Sequence, residues 1–321
     1  MHTISLAPDV QSTSLGFGCA GLMRDPSSGR RQRVLATAFE EGIRHFDLAR
    51  MYGLGAAEGE FAKFARGRRD ELVVATKFGI QPASTSGRVA RLQGPVRGLV
   101  ARYPALRGFA RRHSGALHRP HRYDAATART SLERSLRELR MEYVDILLLH
   151  DPSPEDTLVL PEICAYLEEA RQAGHIRAWG VAGEPDPCIQ IKRALPRTAI
   201  LQVRDALFRD ASLAEDLKPR VTFGVFTGAI ERVLAHVSRS PGTRDRWSEA
   251  IGVDCGLPET IASLLLREAI DANPDSVVLL STTRSERLHG VGSLVSTPDR
   301  ESGDDELTIF KRLVEDELIC A

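Results

Sequence analysis

The sequence has no excess of charge of either sign. Lysine plus arginine and aspartate plus glutamate each total 43 in 321 residues. A general nucleic-acid binder would be basic overall, so no nucleic-acid partner is expected. There is also no apolar run long and uncharged enough to span a bilayer, so no membrane role is expected either. The five cysteines, Cys19, Cys164, Cys188, Cys255 and Cys320, stand singly, without a CxxC pair. Scattered thiols in a chain of this length fit a reducing compartment and suggest no metal site. Met1-His2-Thr3-Ile4-Ser5 lacks the charged and apolar regions of a signal peptide. Together these absences predict a cytoplasmic protein.

What is present is a hydrophobic content of 42%, enough for a large core, and a regular alternation of strand-like and helix-like segments. Strands are expected to begin near residues 14, 45, 72, 143, 176, 199, 221 and 276. Tyr143–Leu149 is a near-continuous apolar run, typical of a parallel strand buried on both faces. Helices are expected over Arg31–Glu41, Ala57–Ala65, Ala125–Leu139, Thr157–Ala173, Cys188–Leu195, Ala211–Leu217, Pro258–Ala272, Ser285–Leu294 and Asp304–Leu318. Residues 1–13 read as a short polar cap. Such alternation predicts a parallel sheet with helical crossovers, and eight units in this length fit one closed (β/α)8 TIM barrel spanning 1–321. An open doubly wound sheet is the competing architecture. It is disfavoured because Gly16-Phe17-Gly18-Cys19-Ala20-Gly21 is not GxGxxG and the next helix starts too late.

The third strand is followed by a long basic insertion. From Gln81 to Arg122 the chain carries nine arginines and no acid. Residues 80–122 should lie over the barrel mouth, where long insertions serve as lids or binding loops. The readings are a lid over phosphates or an anionic substrate, a dock for an acidic protein partner, or a solvated arginine-rich loop. The apolar stripe Val96, Leu99, Val100, Tyr103 and Leu106 favours the lid.

Catalytic groups in a TIM barrel come from the carboxyl ends of different strands. Asp47, Tyr52, Lys77 and His150 all fall at such positions, after the second, third and fourth strands. Singly, each has an ordinary structural explanation: a turn cap, a half-buried aromatic, a solvated strand end, a strand-closing imidazole. Their joint placement points to proton transfer. A phenol has a reference pKa of about 10, and a nearby ammonium should lower it, with Asp47 holding that ammonium in place. Tyr52 would then protonate a carbonyl oxygen or take a hydroxyl proton, while His150 orients the substrate.

Asp47-Leu48-Ala49-Arg50-Met51-Tyr52-Gly53-Leu54-Gly55-Ala56-Ala57-Glu58 closely resembles the aldo-keto reductase signature, with Leu48 in place of its threonine. Arg69-Asp70-Glu71-Leu72-Val73-Val74-Ala75-Thr76-Lys77-Phe78-Gly79 is similar to that family's lysine strand, and Tyr143–His150 to its histidine segment. The resemblance implies a (β/α)8 barrel, a tetrad of Asp47, Tyr52, Lys77 and His150, and NADPH as cofactor, with NADH as the alternative. It further implies that Gln202 contacts the nicotinamide carboxamide, that Phe223 stacks where the family has tyrosine, and that Arg287 clamps a 2′-phosphate. Ser281 stands where many members have lysine, and Arg284 is either a substitute cation or a solvated residue. Gly180-Val181-Ala182-Gly183 departs from the family's Gly-Val-Ser-Asn, whose side chains grip the carboxamide. The expected activity is hydride transfer between NAD(P)H and a small aldehyde or ketone. Operation as an aldose or alcohol dehydrogenase, or as a nicotinamide-binding regulatory subunit with little turnover, are the other readings.

Overall fold

The computed structural model describes residues 1–82, 123–205, 217–295 and 306–319. Two short strands, β1 (Thr3–Ala7) and β2 (Val10–Thr13), pair as an antiparallel hairpin. Eight further strands then close into a parallel barrel. They are β3 (Leu15–Gly18), β4 (His45–Asp47), β5 (Val73–Phe78), β6 (Val144–His150), β7 (Ile176–Gly183), β8 (Ile200–Arg204), β9 (Arg220–Phe223) and β10 (Val277–Leu280). Neighbours in the chain are neighbours in the barrel, and β10 pairs with both β9 and β3 to close it. Helices packed outside the strands complete a (β/α)8 barrel.

The two-residue period of a strand sends alternate side chains inward and outward. On β5, Val74 and Phe78 join the core shared with the helices, while Ala75 belongs to the separate cluster inside the barrel. On β6, Leu147 and Leu149 face the helices, whereas Ile146 and Leu148 fill the interior. Extending each inward row by two residues arrives at Lys77 and His150, which is how two polar groups come to stand at the top of an apolar interior.

The hairpin is more than the polar cap expected from residues 1–13. Its Ile4, Leu6, Ala7 and Val10 are buried against the interior residues, so it plugs the lower end of the barrel. Ser12 Oγ lies 3.0 Å from Nδ1 of His45, an inward residue of β4. Burial pulls the His45 imidazole down to about 4, so it is neutral at physiological pH.

Several helices begin or break at other residues than the apolar pattern suggests. Ser27 accepts the N–H of Arg30 and starts a helix at Ser28–Glu40, earlier than the expected Arg31. The helix expected at Cys188–Leu195 begins at Pro185 and runs Pro185–Ala194. The segment expected as Thr157–Ala173 is a 3-10 turn, Pro154–Val159, followed by the helix Leu160–Gln172. A single helix over Ser285–Leu294 is replaced by a 3-10 turn, Ser285–Arg287, and a short helix, Val291–Leu294, separated at Gly290 with φ of 80°. Ala125–Leu139 is as expected, opened by the Asp124 carboxylate accepting the N–H of Thr127 at 2.6 Å. Two helices, Ala229–Val237 and Pro241–Ile251, had no counterpart in the sequence reading. The residues 83–122 of the basic insertion and the helix expected at 211–217 lie outside the described residues, except Leu217. Among the described residues, no helix is long and apolar enough to cross a membrane.

Candidate active site

The stretch from Asp47 to Glu58 leaves the top of β4 and folds back over the barrel mouth. Gly53, Leu54 and Gly55 take φ values of 60°, 58° and 87°, three consecutive left-handed residues. Glycine adopts this region freely, but at Leu54 it costs about 1–2 kcal/mol. What holds the loop is a buried ion pair. Glu58, 1% exposed, accepts from the Arg50 guanidinium and, at 2.8 Å, from the Thr76 hydroxyl of β5. Gly53 has no room for a side chain, because a Cβ there would lie 2.3 Å from Met23 Cγ. The loop thereby delivers Tyr52 to the cleft.

Around Tyr52 the polar groups form one connected cluster. Lys77 Nζ, on a side chain only 2% exposed, donates to Asp47 Oδ1 at 2.6 Å, to the Leu48 carbonyl at 2.9 Å and to the Tyr52 hydroxyl at 3.2 Å. Gln202 Nε2, reaching from β8, donates to the same Asp47 oxygen at 3.1 Å. The His150 ring meets the Tyr52 ring edge-on, with centroids 5.9 Å apart. The backbone carbonyl of His150 accepts a hydrogen bond from the buried Tyr123, which fixes the end of β6. All four predicted tetrad residues are therefore brought together.

The electrostatics of Tyr52 run against the sequence expectation. The phenol is pushed well above its usual value, first by burial and then by the carboxylates of Asp47 and Asp151. The ammonium of Lys77 is spent largely on Asp47, so the expected lowering is not realised. Tyr52 accordingly keeps its proton throughout the neutral range.

The cluster lies in a cleft of about 570 Å³. Its walls include Gln202, Phe223 and Ser281, three of the residues expected to meet a cofactor, together with Ala182 and Gly183. Gln202 Oε1 is buried and has no hydrogen-bond partner, while its Nε2 is committed to Asp47. A buried amide oxygen left without a partner in the wall of the cleft fits the NH₂ of a nicotinamide carboxamide. Arg287 lines a second cavity of about 390 Å³, with Ser281, Thr282 and Thr283. Arg284 belongs to neither lining.

Two residues of this region escaped sequence reasoning. Arg24, at the end of the 3-10 turn Cys19–Arg24, lines both cavities. Asp151, a non-glycine residue with φ of 51°, lines the cleft beside His150 and puts Oδ2 3.9 Å from His150 Nε2. Asp151 also explains Gly183. A Cβ on Gly183 would sit 2.5 Å from Asp151 Oδ1 and 3.0 Å from its Cα, so the position that is asparagine in the family signature is closed to it here. Among the described residues, no cluster of three or more His, Cys, Asp or Glu side chains could hold a metal ion.

The sequence profile of the aldo/keto reductase family matches residues 14–212. The chain belongs to that family. It is 33% identical over 184 residues to a D-threo-aldose 1-dehydrogenase of a Pseudomonas species, a match covering 52% of this chain and 49% of that protein. The chain thus spans about half the length of the curated relatives it matches. A solved aldo-keto reductase from Bacillus halodurans superposes with a TM-score of 0.67 at 19% identity, covering 97% of this chain and 96% of that one. An aldo/keto reductase from Klebsiella pneumoniae, solved with NADP and acetate, gives a TM-score of 0.62 at 18% identity over 97% and 94% of the two chains. At these identities the two structures speak for the barrel alone.

Proposed function

We propose that this chain is an NAD(P)H-dependent oxidoreductase that reduces a small aldehyde or ketone, with Tyr52 as the general acid. The observation that supports this most directly is Lys77 Nζ, held in the cleft between Asp47 Oδ1 at 2.6 Å and the Tyr52 hydroxyl at 3.2 Å. When bound, the nicotinamide supplies a hydride to the carbonyl carbon. Tyr52 donates its proton to the carbonyl oxygen, and Lys77 stabilises the phenolate left behind. Asp47, the Leu48 carbonyl and Gln202 fix where that ammonium sits. His150 orients the carbonyl oxygen toward the phenol. Gln202 Oε1 would accept from the carboxamide NH₂, Phe223 would offer a face to the ring, and Ser281 and Arg287 would hold the adenosine end. Arg284 lines neither cavity, so the proposed grip rests on Ser281 and Arg287.

A phenol held protonated is ready to act as the acid in reduction near neutral pH, whereas oxidation would first need its proton removed. A regulatory subunit with little turnover would not need the tetrad, and the closed Gly183 position is accounted for by packing. Reports from relatives are consistent with this chemistry: the Klebsiella structure contains NADP, and a curated relative from Schizosaccharomyces pombe is an NADP(+) aldo-keto reductase. The test is fluorescence titration with NADPH and NADH, followed by assays with small carbonyl compounds for the wild type and Tyr52→Phe. Nucleotide binding retained with turnover lost in the variant is the expected result. Turnover undiminished in Tyr52→Phe would remove Tyr52 from the mechanism, and failure to bind either nucleotide would remove the whole reading.

A further inference from the structure

The cleft over the tetrad and the smaller cavity beside it share two residues, Arg24 and Ser281. The two cavities therefore adjoin, the first holding the proton-transfer groups and the second a strongly polar lining. This second chamber is walled by Arg24, Arg287, Ser281, Thr282 and Thr283. Two guanidinium groups and three hydroxyls are the donor set that recognises a phosphate monoester dianion, for which arginine offers bidentate geometry.

The one acid in this wall does not cancel the charge. The Asp25 carboxylate accepts from Arg30 Nε at 2.7 Å and from the Ser27 N–H at 2.8 Å. The hydrogen bond from Arg30 holds Asp25 below the usual carboxylate range, with its own burial opposing and Ser27, Arg30 and Arg31 assisting. Arg24 makes no salt bridge among the described residues, and Arg287 makes none within 4 Å, although the exposed Glu286 carboxylate is held below its usual range by its own backbone N–H and, to a lesser degree, by charges that include that of Arg287. The backbone also holds the two sides of the second chamber together. A Cβ on Gly21 would lie 3.4 Å from Ser281 Oγ, so the turn that carries Arg24 rests directly against the end of β10.

We propose that Arg24, delivered by the first strand-to-helix connection, is the cation that distinguishes a 2′-phosphorylated nicotinamide nucleotide from its unphosphorylated counterpart in this chain. It serves the position left short of charge by Ser281, and Arg287 is its partner across the chamber. The inference rests on the nicotinamide-dependent reading of the cleft and deepens it by assigning the phosphate end. Arg284, the substitute considered from sequence, stands outside this chamber.

The experiment is isothermal titration of the full chain with NADPH, NADH, adenosine 2′,5′-bisphosphate and AMP, for the wild type, Arg24→Ala and Arg24→Ala/Ser281→Lys. The wild type should prefer each 2′-phosphorylated ligand to its counterpart. Arg24→Ala should weaken NADPH and the bisphosphate about tenfold, the lower end for a charge-assisted contact because the arginine is exposed. NADH and AMP should change by less than about twofold, since they lack the group that Arg24 recognises. Adding Ser281→Lys should restore the preference, a rescue that a merely structural role for Arg24 would not show. Equal weakening of NADPH and NADH would place Arg24 on the shared pyrophosphate and overturn the proposal, as would an unchanged preference or a wild type that prefers NADH. In each of these cases the reductase reading stands. A wild type that binds none of the four ligands overturns both.

Discussion

Replacing Lys77 with methionine tests the centre of the site and the fold at once. Lys77 is 2% exposed and Asp47 3% exposed, and Nζ is the closest hydrogen-bond donor to Asp47 Oδ1, at 2.6 Å. Methionine keeps the length of the side chain and removes the charge. Asp47 is then left buried with only neutral groups beside it, the Gln202 amide at 3.1 Å among them. Breaking a buried ion pair on one side costs about 3–5 kcal/mol, because the surviving charge keeps its desolvation penalty. At a chain length near that of large single domains, each kcal/mol moves the melting temperature by roughly 2 °C, so a fall of roughly 6–10 °C is expected. The double variant Lys77→Met/Asp47→Asn removes both charges and should recover most of that loss. The pair therefore should show a coupling energy of at least 2–3 kcal/mol, the upper end for residues in direct contact. Thermal melts and urea titrations of the four proteins in the cycle measure it. A Lys77→Met protein within about 1 kcal/mol of wild type, or a double variant no more stable than the single one, would refute the reasoning, since Asp47 could not then be both buried and dependent on this lysine.

The raised phenol of Tyr52 fixes a pH dependence with a definite sign. Reduction needs the protonated phenol and should hold level across the neutral range. Oxidation of an alcohol needs the phenolate and should climb about tenfold per pH unit, without a plateau below about pH 10; steady-state assays in both directions check this, and a plateau near pH 7 in the oxidative direction contradicts the burial argument. Restoring the family's asparagine by Gly183→Asn should not restore a grip on the cofactor. The new Cβ would meet Asp151 at 2.5–3.0 Å, and overpacking of this kind costs about 1–3 kcal/mol. Denaturant titration and NADPH binding read the two effects, and a stable variant that binds more tightly would show that the Asp151 segment yields.

Much of this site was legible in the sequence, for a reason that the barrel makes explicit. Lys77 and His150 are the last inward residues of β5 and β6, and the two-residue period that buries Ala75, Ile146 and Leu148 leads directly to them. Asp47 ends β4 in the same manner, and Gln202 is the next inward residue after Ile200 in the middle of β8. Position along a strand is a local property, so a sequence reader can count it. Arg24 and Asp151 were missed because their roles depend on which loops meet above the barrel: Arg24 faces residues about 260 positions away, and Asp151 matters through Gly183 on the next strand. The helices Ala229–Val237 and Pro241–Ile251 were passed over although Ser240 and Pro241 form a capping signal. Ser240 accepts the N–H of Thr243, and Gly252 closes the helix with φ of 85°. For Pro241–Ile251 the weakness was the polar, charged composition of 238–250, which hides the buried Trp247; Ala229–Val237 is amphipathic, with Ala229, Val233 and Val237 buried, and was legible at helical spacing.

The error over Tyr52 has the same root. Proximity to an ammonium can be inferred from two strand ends, and the 3.2 Å contact is there. Burial, which is the larger influence, is a sum over the whole surroundings, and the partner that claims the ammonium, Asp47, acts on Tyr52 in the opposite sense. A lysine shared between a carboxylate and a phenol does not make a ready base. It makes a phenol that holds its proton through the neutral range, the state in which Tyr52 can serve as the proposed general acid.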